Sequence, residues 1–148
     1  MGESQWFQPT VRNRLGKAIV LVNFYINYGK FYDIREYLLH HSFYRRIFPL
    51  GNPYNETASA QGTKIEGKGE HEWGHCGREN SPSGTEGSFE VHLEGSGEKI
   101  AKIYWDCPYI GDNKLQKHDV KEGYDVSFDD FSIPSGPLGK GKINVRED

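Results

Sequence analysis

The chain has 148 residues and a formal net charge of −3, with 18 Gly, 7 Pro, 9 Tyr, 8 Phe and 3 Trp. That length suits one domain over residues 1–148 with a buried core, and the weak negative charge excludes the basic footprint of a nucleic-acid-binding protein. Turn formers and strand-favouring aromatics, with few of the residues that fill helices, point to an all-β domain.

From the N-terminus, MGESQWFQPTVRNR lacks the apolar centre of a secretory leader, and Trp6 stands where a myristoylation signal needs Ser or Thr. KAIVLVNFYINYGKFYD (17–33) carries the strongest strand signal, in Ile19, Val20, Leu21, Val22, Phe24, Tyr25 and Ile26. Asn27-Tyr28-Gly29-Lys30 should break it into two strands or a bulge. IREYLLHHSFYRRIF (34–48) places Ile34, Tyr37, Leu38, His41, Ile47 and Phe48 near helical spacing, which predicts a short amphipathic helix. PLGNPYNETASAQGT (49–63) is a loop by its Pro and Gly content; its Asn55-Glu56-Thr57 sequon is read as fortuitous.

HEWGH (71–75) matches the H-E-x-x-H pattern of zinc proteases, in which His71 and His75 would bind the metal and Glu72 would act as general base. That chemistry needs a helix, because residues four apart converge on one ion only at helical pitch. Gly67, Gly69, Gly74 and Gly77 crowd the site, and only Trp73 and Cys76 are apolar over residues 66–80. A polar, glycine-rich loop leading into a strand fits better, with no metal bound.

Downstream, GSFEVHLEG (87–95) alternates Phe89, Val91 and Leu93 with Glu90, His92 and Glu94, the mark of a half-buried antiparallel strand. KIAKIYWDCPYIG (99–111) is a second strand, ended by Pro108. EGYDVSFDDFSIPSG (122–136) alternates around Tyr124, Val126 and Phe128, and GKGKINVRED (139–148) aligns Ile143 with Val145. Short strands separated by turn residues describe an antiparallel β-sandwich with little helix. Cys76 and Cys107 fit one disulfide or two thiols; without a secretory leader, thiols are expected.

Three stretches resemble the aegerolysin family. CGRENSPSGTEGSFEV (76–91) is similar to its Cys-Gly-Arg…Gly-Thr-x-Gly-x-Phe segment, KIYWDCPY (102–109) to Tyr-Trp-Asp-Cys-Pro-Trp, and SGPLGKGKINV (135–145) to its Ser-Gly-Ala-Leu-Gly strand. SQW (4–6) and YGK (28–30) match in order as well, so the resemblance covers nearly the whole chain. It places HEWGHCGR on a strand where the family has no zinc site.

The resemblance implies a β-sandwich that binds membrane sphingolipids, without catalytic centre, cofactor or metal. It also implies a larger perforin-like partner that inserts to make a pore, as in two-component cytolysins and insecticidal toxins. Release by a non-classical route and action at the target-cell membrane follow as expectations. Aromatic side chains suit such docking, with an apolar body at the acyl boundary and a polar edge at the headgroups. Trp6, Tyr28, Phe31, Tyr32, Trp105 and Tyr109 are the candidates, with Ser83. Tyr28 and Tyr109 replace family tryptophans, and Ser83 replaces a glutamate tied to sphingomyelin–cholesterol recognition. The chain is also longer than the family between Asp33 and Cys76. There Arg35, Tyr37, Phe43, Tyr44, Arg45 and Arg46 combine charge with aromatics, as partner-binding patches do. The alternatives are a stand-alone lipid- or glycan-binding module and, less well supported, the zinc protease.

Overall fold

The computed structural model describes residues 5–34, 59–77 and 83–148, and among these the regular elements are all strands. They are β1 (Trp6–Asn13), β2 (Ile19–Tyr28), β3 (Lys30–Tyr32), β4 (Thr63–Ile65), β5 (Glu70–Glu72) and β6 (Gly74–Cys76). Then follow β7 (Thr85–Leu93), β8 (Lys99–Cys107), β9 (Lys114–His118), β10 (Tyr124–Asp129) and β11 (Gly139–Glu147). One sheet has the order β10-β11-β1-β6-β3, with β5 also paired to β1; the other has the order β4-β2-β7-β8-β9.

The expected sandwich is present. Phe7, Val11, Ile143 and Val145 from the first sheet pack against Ile19, Leu21, Phe89, Val91, Ile103 and Trp105 from the second. All ten are buried. At one end the core is aromatic: Phe7 stacks on Trp105 at 5.2 Å, and Trp73 meets Phe7, Phe24, Phe89 and Trp105 edge-on at 5.5–5.6 Å. Offset and edge-to-face pairs satisfy the ring quadrupoles, which favours these contacts beyond the area they bury.

The sheets are antiparallel as expected, with one exception: β1 and β11 run parallel, side by side, with Phe7 opposite Gly139 and Asn13 opposite Val145. The HEWGH stretch lies on strands, as the family resemblance implies, and not in the polar loop its glycines suggest; β5 and β6 both pair with β1, and Trp73 between them points into the core. Gly74 is required there because a Cβ would strike the Tyr32 ring. The break predicted after Ile26 takes both forms: β2 bulges twice, and Gly29, at φ 105°, turns the chain into β3. Beyond Ile34, the predicted helix and the six candidate partner-binding residues lie outside the described residues.

Candidate functional site

One end of the sandwich collects most of the sequence candidates. β1, β3, β7, β9 and β11 begin there, and β2, β6, β8 and β10 end there, as the pairings Trp6–Cys76, Lys30–Cys76, Thr85–Cys107 and Phe7–Gly139 require. Hydrogen bonds to backbone carbonyls hold the loops. Gln5 Nε2 donates to the carbonyls of Pro108 and Tyr109 at 2.6 and 3.1 Å. Asn113 Nδ2 donates to those of Ser132 and Gly136 at 2.7 and 3.0 Å, and the Asn113 amide donates to the Ile133 carbonyl. Buried polar groups cost little when paired in this way, and each pair fixes one loop against another.

Gly84 permits the closest approach at this end, since a Cβ there would meet the Cys107 carbonyl oxygen. That neighbour is backbone within a paired strand and has nowhere to move. Gly84→Ala should therefore destabilise the fold by about 1–3 kcal/mol, seen as a lower thermal midpoint. An unchanged midpoint would mean that the loop moves freely.

The candidate lipid contacts divide by burial. Tyr28 and Tyr109 are surface residues, 37% and 48% exposed. Trp6 is half-buried against Tyr32 and Cys76, and Phe31 is half-buried with its ring 4.7 Å from that of His75. Ser83 is half-buried beside Gly77. Trp105 and Tyr32, expected at the membrane face, are core residues instead. Trp105 shares the inward parity of Ile103 and Cys107, and its Nε1 donates to Thr85 Oγ1 at 2.8 Å. Tyr32 donates its hydroxyl to Gln8 Oε1 at 2.8 Å. Two exposed apolar residues escaped the sequence reasoning: Ile110, 83% exposed, and Ile133, 44% exposed. Only their position in Pro- and Gly-bounded loops signalled them.

Beside Tyr28 lies a carboxylate pair. Glu86 and Asp106 are cross-strand neighbours. Tyr28 donates to Asp106 Oδ1 at 3.2 Å, while the Tyr104 hydroxyl and the Asn27 amide donate to Glu86. Partial burial and then the facing Glu86 raise Asp106 above its ordinary carboxylate range. Burial and the two carboxylates push Tyr28 up to about 12. Both tyrosines thus stay protonated as donors, and this side of the end is polar where the Ile110 side is apolar.

His71 and His75 do not meet. They sit opposite Val11 and Phe7, four strand residues and so about 13 Å apart, too far for one zinc ion. His75 is wholly buried, with Nδ1 2.6 Å from Thr85 Oγ1, and burial lowers its pKa to about 3. Cys76 and Cys107 are buried thiols. Burial pushes the Cys107 thiol up to about 11, which leaves it unreactive at neutral pH.

The architecture is that of an aegerolysin-like β-sandwich. An aegerolysin family model matches residues 52–148, and the chain belongs to the aegerolysin family. Aegerolysin Aa-Pri1 of Cyclocybe aegerita is 36% identical over 72 residues, and Asp-hemolysin of Aspergillus fumigatus is 33% identical over 73. Each alignment covers 47% of this chain and 50% of the relative, so the match spans about half the length of these curated proteins. Among solved structures, IP-1A from Alcaligenes faecalis superposes with a TM-score of 0.75 at 26% identity, over 99% of this chain and 94% of that one. RahU, solved with a Tris molecule, gives 0.76 at 18% identity over 97% and 96% of the two chains. The lipid-binding protein Nakanori gives 0.59 at 10%, over 99% and 73%. The last two show likeness of fold alone.

Proposed function

We propose that this chain docks on sphingolipid membranes through the loop end that bears Tyr28, Tyr109, Ile110 and Ile133, and acts there as the lipid-recognising half of a two-part pore-forming toxin. The observation that carries the proposal is the pairing of exposed apolar side chains with a pinned scaffold. Ile110 and Ile133 sit on loops fixed by Gln5 and Asn113, so little ordering entropy is lost on docking. Tyr109 and Tyr28 flank them with polar edges suited to headgroup depth. Membership of the aegerolysin family, a relative named a hemolysin and a fold shared with a lipid-binding protein all support it.

A partner is needed for the pore because the long strands β2, β7 and β8 each bury one face in the core. Leaving that core would cost more than a docked loop regains. Among the described residues no helix is long and apolar enough to cross a membrane. The proposed contact for a perforin-like partner is the segment from Arg35 to Arg46, chosen for its mixture of arginines and aromatics. The protein would work without a catalytic step, at the target-cell membrane, after release by a non-classical route.

The test is sedimentation with vesicles of phosphatidylcholine alone, or with added sphingomyelin or ceramide phosphoethanolamine, each with and without cholesterol. Ile110→Asp should weaken binding to the preferred sphingolipid vesicles by about tenfold or more while leaving thermal unfolding unchanged. Equal binding to plain phosphatidylcholine would remove the sphingolipid claim, and full binding by Ile110→Asp would remove the assignment of this end. Dye release should need both proteins; full release by this chain alone would overturn the two-part scheme.

A further inference from the structure

On the flank of the second sheet, beside the loop end, the solvent face of β2, β7, β8 and β9 forms an open pocket of about 380 Å³. Strand register sets its lining. Tyr25 lies opposite Ser88, Ser88 opposite Tyr104, and Tyr104 opposite Gln116, so four strands supply one rung. The rung toward the loops brings Glu86, held by Asn27 and Tyr104. The rung on the far side brings Lys102, opposite His118.

Tyr25 faces this pocket because β2 is bulged. Ile19 and Leu21 point inward, and strict alternation would carry Tyr25 into the core as well. Asn23 instead takes a left-handed φ of 55°, and the register shifts between Val22 and Tyr25. Phe24 then turns inward and stacks on Phe89 at 5.0 Å, while Tyr25 is left 68% exposed. A bulge that re-aims one side chain is a common device beside binding sites, and core packing gains nothing from a phenol ring in solvent.

The lining selects a ligand by its mixture of groups. Glu86 disfavours an anion and Lys102 disfavours a cation, yet both serve a neutral polyol, the carboxylate accepting from hydroxyls and the ammonium donating to them. The carboxamides of Asn27 and Gln116 can do both. The exposed face of Tyr25 suits the C–H face of a pyranose. We propose that this pocket binds one neutral hexose or N-acetylhexosamine unit of a glycan, on a glycolipid headgroup or on a soluble chain. The site is separate from the apolar tip and does not depend on membrane docking by Ile110.

Saturation-transfer NMR with the methyl glycosides of glucose, galactose, mannose and N-acetylglucosamine tests this, with phosphocholine as a competing probe. At least one glycoside should receive saturation, and Tyr25→Ala and Gln116→Ala should each weaken it by about tenfold. Both residues lie on the sheet surface, so an unchanged amide spectrum elsewhere serves as the folding control. Sedimentation with vesicles containing glucosylceramide or galactosylceramide, against ceramide, separates the two sources. A Tyr25-dependent preference assigns a glycolipid; glycoside binding without that preference assigns a soluble glycan. Absence of transfer from all four glycosides, transfer undiminished in Tyr25→Ala, or Tyr25-dependent transfer from phosphocholine alone would overturn the proposal. Ile110→Asp should leave glycoside binding intact, so failure of membrane docking and failure of this site are distinguishable.

Discussion

Trp105→Ala should lower the free energy of unfolding by about 3–5 kcal/mol, the usual cost of emptying a buried aromatic site. The indole is wholly buried, with ring centroids 5.2–5.6 Å from Phe7, Trp73 and His75. Its Nε1 is also a donor to Thr85 Oγ1. Urea titration followed by far-UV circular dichroism reads the loss directly. Trp105→Phe, which keeps most of the ring contacts but not the hydrogen bond, should lose less. Any failure of Trp105→Ala to bind vesicles would then reflect unfolding, not a missing lipid contact. A stability change below about 1 kcal/mol would mean that the indole is not the keystone of the aromatic cluster.

Acid should destabilise the protein through His75. Its ordinary pKa of 6.5 falls to about 3 in the folded chain, because burial penalises the imidazolium. Nδ1 is engaged with Thr85, and Nε2 has no hydrogen-bond partner among the described residues, so a second ring proton finds no acceptor. Above pH 6.5 both folded and unfolded chains hold the neutral ring and stability is full. Below it the unfolded chain takes a proton that the folded chain refuses, and stability falls by about 1.4 kcal/mol per pH unit until the folded pKa is reached. Over that window the loss is on the order of 4 kcal/mol. His75→Gln keeps a polar contact for Thr85 but cannot titrate. Urea midpoints between pH 7 and pH 3.5 should decline more steeply for the native chain than for His75→Gln. Parallel declines would place the acid sensitivity elsewhere.

The strands that could be read from the sequence are those whose two faces differ. In β10 and in the second half of β7 the inward and outward residues alternate in character, as in Phe89, Val91 and Leu93 against Glu90 and His92. β1 escaped because it buries polar residues: Gln8 and Asn13 are inside, satisfied by Glu72 and by the carbonyls of Lys17, Ile65 and Glu66. Such pairing depends on residues far away in sequence, so no local pattern announces it. β9 escaped because KLQKH is a charged edge strand, the form that discourages unwanted pairing. For the site, Tyr28 and Tyr109 were legible as exposed aromatics next to turn residues. Trp105 could have been placed inside by following Ile103-x-Trp105-x-Cys107, whose partners Lys102, Tyr104 and Asp106 belong outside. Tyr25 could not have been placed at all, because its face is decided by one bulged residue, Asn23.

The parallel pairing of β1 with β11 also shapes how the chain is made. These two strands lie next to each other inside the first sheet, yet nearly the whole sequence separates them. Contacts of this kind raise contact order, and the loop-closure entropy must be met before any of their hydrogen bonds form. As the chain leaves the ribosome, β7 and β8 can pair as a local hairpin and β2, held back from them by the segment between, can join to form the second sheet, while β1 waits with one edge open until residues 139–147 emerge. The docking of β11 on β1 is therefore the step expected to be slow. The species before it carries an unpaired edge and the uncovered side of the aromatic cluster, which makes it the state most prone to aggregate and the one a chaperone would hold.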